Sequence, residues 1–355
     1  MSSPKVVIAP VLQFPTAAAS LRAFAAGGYR RILVTSAIRS EGRSAVGAEM
    51  LPGGLERGDS SWPSEYASGV ASALAGTGPE SVLVVQADPM PSDRPRVLGL
   101  PACRGLWELL HETYLCDLDG PSTASFGLGD WLEILAAQCR SGTLTVREGL
   151  EVLRLTFLKG SIRAIACTAS EQELGLTGSA LRGQAGERIV RMIEWSRPIF
   201  RFTGHPAPAP ALGVPPVSCL DGLFRGRLHA RCRQPFIAGQ IESRLTDTSL
   251  PNLKLLPAGE WGVLTPDLHR PLELLLGRLG RAFGIVLLDA PPVARAGLSG
   301  LFARAADAVL LVVNTAEVDY ASVLRAADEL RRAGASMIGV LVDRVGTPAA
   351  PAVTG

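Results

Sequence analysis

The chain has 355 residues, 47% of them hydrophobic and 19% charged, the composition of a globular protein with room for two domains and a sizeable core. A net charge of only +2 excludes nucleic-acid binding through bulk electrostatics. No apolar run reaches the ~18–20 residues that cross a bilayer, and no basic-then-apolar leader opens the chain; a cytoplasmic protein that meets a membrane only through a partner is expected.

Five short apolar segments read as strands: Arg31–Thr35, Ser81–Val85, Gly284–Leu288, Ala308–Val313 and Met337–Val342. Continuous apolar runs of this kind suit strands buried on both faces, as in a parallel sheet. Helix-period stretches lie ahead of three of them, at Tyr66–Ala75, Pro271–Phe283 and Ala321–Ala333. Strand–helix alternation at both ends of the chain implies one doubly wound, mostly parallel α/β sheet.

The middle has a different grammar. Asp130–Cys139 carries apolar residues at helical spacing, and Ser141-Gly142 breaks it. Alternating strands follow at Thr143–Val146, Val152–Leu158 and Ile162–Cys167, separated by turns at Arg147–Gly149 and Lys159-Gly160, an antiparallel meander. A helix at Glu187–Trp195 and a strand at Ile199–Phe202 close the unit. The expected organisation is an α/β domain in two parts, 1–120 and 233–347, with a small α+β domain inserted at 124–203. A Pro-rich linker and helix occupy 204–232, and a tail occupies 348–355.

Six cysteines (Cys103, Cys116, Cys139, Cys167, Cys219, Cys232) show no C-x-x-C spacing, and the four histidines form no ligand pattern, so neither a zinc site nor a redox pair is expected. Lysine is scarce, present only as Lys5, Lys159 and Lys254. Trp131 and Trp195 read as core of the inserted unit, and Arg225–Arg233 as a solvated helix face.

Two stretches carry a family likeness. One is GGYRRILVTSAIRSEGRSAV, Gly27–Val46; the other runs from LPNLKLLPAG at Leu250 through LLDAPPV to GVLVDRV at Val345. Together they resemble the bacterial tyrosine kinases of capsule and exopolysaccharide assembly, which belong to the MinD/ParA-like P-loop ATPases. The inserted unit resembles the PATAN domain, on GLGDWLEILAAQCRSGTLTV, FLKGSIRAIAC and GERIVRMIEWSRPIFRF. The resemblance implies a P-loop NTPase fold, ATP and Mg²⁺ as cofactors, protein partners including a membrane polysaccharide co-polymerase, and a homo-oligomer.

The family's phosphate loop reads S-x-x-P-G-E-G-K-S-T. Such a loop wraps phosphate in backbone N–H groups, with a lysine on the β/γ-phosphates and a hydroxyl on Mg²⁺. Here Ser36-Ala37-Ile38-Arg39-Ser40-Glu41-Gly42-Arg43-Ser44-Ala45 stands in its place. The resemblance carries nucleotide contact onto Ser36, Glu41, Gly42, Arg43 and Ser44, but the lysine is Arg43, whose planar fork approaches phosphate differently. A second register places the loop at Pro63–Ala71, with Ala67 for the lysine; both lack it.

The D-x-D motif is Gln86-Ala87-Asp88, its first carboxylate replaced by an amide that neither acts as a base nor neutralises Mg²⁺. Asp289 in LLDAPP is the Walker B-like residue; with Ser44 it makes the implied metal site, and with Asp88 the implied catalytic pair. Asp343 takes the place of the adenine-reading Asn, beside Arg344. The last residues, VGTPAAPAVTG, hold no tyrosine for a kinase to phosphorylate, and the helix that packs family members into rings matches Ala17–Gly28 with only Arg22 left. These losses point to a regulatory or scaffold pseudo-enzyme with ATP and Mg²⁺ weak or lost. A slow ATPase using Arg43, Ser44, Asp88 and Asp289, and a tyrosine kinase acting in trans, remain the rival readings.

Overall fold

The computed structural model describes residues 6–10, 14–37, 62–87, 104–169, 172–176, 195, 197–204, 234–259, 268–293, 298–314 and 318–343. They divide into two compact units, one made of 1–109 and 244–355, the other of 110–243.

The first unit is an α/β sheet. In chain order it contains β1 (Val6–Pro10), α1 (Phe14–Ala26), β2 (Arg31–Ser36), α2 (Trp62–Thr77), β3 (Val82–Gln86) and α3 (Leu106–Leu109). The second unit interrupts it with α4 (Leu128–Ala137), β4 (Gly142–Glu148), β5 (Glu151–Leu158), β6 (Ser161–Ala169), β7 (Gln172–Leu176), β8 (Ile199–Gly204) and α5 (Pro235–Glu242). The sheet then resumes with β9 (Thr246–Asp247), β10 (Leu253–Leu256), α6 (His269–Ala282), β11 (Ile285–Asp289), α7 (Leu298–Ala305), β12 (Ala308–Asn314), α8 (Tyr320–Arg332) and β13 (Ile338–Asp343).

The strand order is β1-β13-β12-β2-β11-β3-β10-β9. Every pairing is parallel except β10 with β9 at one edge. All five strands read from the sequence are in it. The additional parallel strands, β1 and β10, are short, and Lys254 interrupts the apolar run of β10, so neither rose above its surroundings by pattern alone. Alternate residues explain why the central strands read as unbroken apolar runs. Ile32, Val34, Val82, Val84, Ile285 and Leu287 pack with Leu21, Val70 and Leu74 of α1 and α2 in one core. The intervening Leu33, Leu83, Val286 and Leu288 are equally buried, on the other face, where α6 and α7 pack on β11 and β2. Each such side chain contributes about 1.5–3 kcal/mol on leaving water, so both faces must be covered and the sheet is doubly wound.

The amino edge of this sheet is tied by an ion pair. Asp307, ahead of β12, accepts from the backbone N–H groups of Arg30 (2.9 Å) and Arg31 (2.8 Å) and from the Arg31 guanidinium.

The second unit is an antiparallel sheet in the order β7-β6-β5-β4-β8. The meander expected over 143–167 is its centre, and the strand near 199, β8, is one edge. β7 adds a fifth strand, while the helix expected at 187–195 falls outside the described residues except for Trp195. Lys159 and Gly160 have φ of 48° and 76°, the left-handed pair that a two-residue hairpin between β5 and β6 requires. A Cβ on Gly160 would stand 2.8 Å from the Ala136 carbonyl oxygen, so this turn also has to be glycine for α4 to approach. Leu144, Val146, Leu153, Leu155 and Phe157 are buried on one face of the sheet. Trp131 is core as read, 3% exposed, with Phe126 edge-on at 5.4 Å and Phe200 at 6.2 Å.

Two carboxylates buried on α4 hold the far end of this unit. Asp130 accepts from the backbone N–H groups of Gly127 (2.8 Å), Phe236 (3.2 Å) and Ile237 (3.0 Å), thereby capping α5 across more than a hundred residues of chain. Glu133 accepts from Tyr114 Oη (2.6 Å) and Gln234 Nε2 (2.7 Å). The unit therefore reaches to residue 243, past the Pro-rich stretch.

Candidate functional site

In an open parallel sheet, the groups that meet a ligand lie at the carboxyl ends of the strands. Ser36 ends β2, Gln86 ends β3, Asp289 ends β11 and Asp343 ends β13, so four positions named from the sequence share that edge. Ser36 and Asp289 are buried, 7% and 4% exposed. Gln86 is the register partner of Asp289 on the neighbouring parallel strand, so their backbones lie one strand spacing, about 4.8 Å, apart. By strand parity Ser36, Gln86 and Asp289 fall on the same face as Val34, Val84 and Leu287, the face covered by α1 and α2. Asp343 stands opposite Asn314 in the β12–β13 ladder. Glu41, Gly42, Arg43, Ser44, Asp88 and Arg344 lie outside the described residues.

The segment after Asp289 is fixed by bonds the sequence did not announce. The Ala290 N–H donates to Val34 O (3.1 Å), and the Val293 N–H donates to Ser36 O (2.8 Å), so the loop extends the ladder along β2. Thr35 Oγ1 and Ser299 Oγ both donate to Pro291 O, at 2.7 and 2.6 Å. On the other side, the Ala87 N–H donates to Asp289 O (2.8 Å). Both hydroxyls are fully buried, at 0% and 1% exposure. The only trace in sequence is a threonine inside an apolar strand, RILVTS; Ser299 carried none. Their effect is to lock the backbone on both sides of the Asp289 carboxylate.

The second loop register falls on a helix. Pro63–Ala71 lies within α2, and Ala67 is completely buried in the core shared with α1. The first turn of α2 has free N–H groups, as any helix start does, so what counts against this register is the burial of its lysine position, Ala67.

Among the described residues no three His, Cys, Asp or Glu side chains cluster to hold a metal ion. Mg²⁺ favours one or two carboxylates beside substrate phosphates. Asp289 supplies one such carboxylate, with the neutral Gln86 on the neighbouring strand; Ser44 and Asp88 lie outside the described residues, and no chemistry is routed through a metal here. What the fold and edge define is a doubly wound, mostly parallel α/β protein whose carboxyl edge has, among the described residues, the buried carboxylate of Asp289 at its centre.

No protein-family model matches the chain, and no curated protein matches it. Among solved structures it is similar to the kinase domain of VpsO, with 13% identity and a TM-score of 0.43 over 94% of this chain and 96% of that one. It is also similar to the chimerical protein CapA2B2, with 15% identity, a TM-score of 0.42 and coverage of 94% and 84%. A third is the kinase domain of the Escherichia coli tyrosine kinase ETK, with 12% identity, a TM-score of 0.39 and coverage of 95% and 79%. At such scores the fold rests on the chain's own strand order and register.

Proposed function

We propose that the chain is a P-loop-type α/β protein with an eroded nucleotide site, acting as a regulatory or scaffold component of exopolysaccharide or capsule assembly, or of related signalling. The observation that carries this reading is the Gln86–Asp289 pair. The position that the family likeness fills with a carboxylate holds an amide, directly beside the surviving aspartate. Arg43 in place of lysine acts in the same direction. Arg22 adds support against a ring assembly. Its guanidinium is engaged within the chain, bonding Leu74 O (2.6 Å), Thr77 Oγ1 (2.7 Å) and Glu80 Oε2 (3.3 Å), which ties α1 to the end of α2.

A slow ATPase is the second reading, favoured by the rigid, buried setting of Asp289. Calorimetric titration with ATP and Mg²⁺ separates the two. Hydrogen bonds to charged groups are worth about 1.5–3 kcal/mol, so the missing lysine weakens binding by roughly 10- to 100-fold. The parent should bind weakly, and an Arg43→Lys, Gln86→Asp variant should bind at least tenfold more tightly. Micromolar binding with steady hydrolysis by the parent would establish the ATPase instead. Phosphotyrosine formed on an added tyrosine-rich peptide would establish a kinase acting in trans.

A further inference from the structure

The connections that leave the carboxyl edge of the parallel sheet do not all turn the same way. From β2 the chain passes through α2 to β3, on one side of β2. From β12 it passes through α8 to β13, on the other side. α2 covers the face that carries Ile32 and Val34, whereas α8 packs against α7 on the opposite face. β2 and β12 are neighbours in the sheet, so the two connections diverge between them. In an open α/β sheet, ligands bind at the carboxyl ends of the strands where neighbouring connections part in this way.

Ser36 ends β2, Asn314 ends β12 and Asp343 ends β13. The ladder pairs Val312 with Ser36, and Val312 belongs to the core shared with α1 and α2. By strand parity Asn314 falls on that same face, and so does its register partner Asp343. Asp343 is two strands from Ser36, about 10 Å across the sheet, and about 7 Å further along it. The edge therefore has a hydroxyl residue at one position and an Asn–Asp pair about 12 Å away. One nucleotide spans such a separation between its phosphates and its base.

We infer that Asn314 and Asp343 read the base of a guanine nucleotide; the inference rests on the nucleotide-site reading above and names its ligand. An ionised carboxylate has only acceptors, whereas an amide has donors and an acceptor. Guanine carries two adjacent donors, N1–H and the N2 amine, next to the O6 acceptor. Asp343 takes the two donors, and Asn314 donates to O6. Adenine offers one donor, its N6 amine, beside the N1 acceptor, and that lone pair would face a carboxylate oxygen with no proton between them. Cytosine has the same donor-beside-acceptor pattern, and uracil has a single donor. Guanine is thus the base whose donors match a carboxylate. A site that hydrogen-bonds its ligand discriminates strongly against an analogue that leaves its polar groups unpaired.

The test is calorimetric titration of the full chain with GDP and with ADP, each with Mg²⁺ and at up to millimolar concentration. GDP should bind about tenfold more tightly than ADP, the discrimination of one good bidentate contact. IDP, which lacks only the N2 amine, should lose most of that advantage. Asp343→Asn should weaken GDP about tenfold and strengthen ADP severalfold, a gain that a misfolded protein would not give. Asn314→Ala should weaken GDP severalfold and leave the ratio of GDP to IDP affinity unchanged. Equal affinity for GDP and ADP, or a preference for ADP, would overturn the inference while leaving a nucleotide site in place. So would an Asp343→Asn variant that gains nothing toward ADP. Binding of neither nucleotide would overturn the inference and the nucleotide reading together.

Discussion

The two sheets solve the same burial problem in opposite ways. In the parallel sheet, adjacent residues such as Leu33 and Val34 are both buried, 0% and 1% exposed, because helices cover both faces. In the antiparallel sheet, Leu155 is buried while its neighbour Arg154 is exposed, because the far face is left to solvent. The first arrangement leaves only strand ends for function, and its polar residues gather at the two edges, Arg31 and Asp307 at the amino one and Ser36, Gln86 and Asp289 at the carboxyl one. The second leaves the outer side of β4, β5 and β8 to solvent, where Arg147, Arg154 and Arg201 are exposed. The same chain therefore presents a narrow, rigid edge in one unit and a broad, charged surface in the other.

The largest test of this contrast is truncation of neighbouring strand positions. Leu33→Ala and Leu287→Ala address opposite faces of the parallel sheet, and each should cost about 2–5 kcal/mol. In β5, Leu155→Ala should cost a similar amount, whereas Thr156→Ala should stay within about 0.5 kcal/mol. Hydrogen exchange resolved by peptide assigns each loss to its unit. A Leu33→Ala change as mild as Thr156→Ala would break the two-faced account.

Next comes the buried capping carboxylate. Asp130→Ala orphans three backbone donors, two of them at the start of α5. At about 1.5–3 kcal/mol for a hydrogen bond to a charged group, the second unit should lose about 3 kcal/mol. Amide exchange at Phe236 and Ile237 should accelerate while the first unit keeps its protection. Unchanged exchange there would mean that α5 holds without the cap.

A smaller effect belongs to the amino edge of the parallel sheet. Burial pushes the Asp307 carboxyl up, but hydrogen bonds from the Arg31 side chain and backbone, the Arg31 charge and the Arg30 backbone outweigh it, so its pKa lies below the ordinary carboxylate value. A depressed folded pKa gives stability that is present above the unfolded value of about 4 and lost as pH falls through the folded one. Asp307→Asn should therefore cost about 1–3 kcal/mol at neutral pH. The gap to the parent should close below pH 4, read from urea midpoints across pH. A gap that persists at pH 2 would exclude the ion pair as its source.

The smallest effect is chemical and concerns two cysteines of the second unit. Burial pushes the Cys116 thiol up to about 11, while Cys139 is exposed. Thiolate is the reactive form, so iodoacetamide at pH 8 should label Cys139 severalfold faster, as followed by peptide mass spectrometry. Faster labelling of Cys116 would place it in a more open setting than the fold gives it.

Sequence by itself determined the kind of each sheet. Unbroken apolar runs and strict alternation are local patterns, and burial on two faces or one is the only way either can be satisfied. It also settled that an amide, Gln86, ends β3. Pairing was another matter. That Gln86 stands beside Asp289, two hundred residues away, follows from strand order, which one chain's pattern does not encode. The same holds for Arg22 spending its guanidinium on α2, for Thr35 and Ser299 meeting at Pro291, and for Asp130 capping a helix past the Pro-rich stretch. Even the shared face of Arg147, Arg154 and Arg201 was invisible as such, since they are scattered in sequence and brought together only by antiparallel register. Local propensity acts over a few residues, whereas contacts between distant side chains are decided by which surfaces can be buried together, and only the tertiary structure answers that.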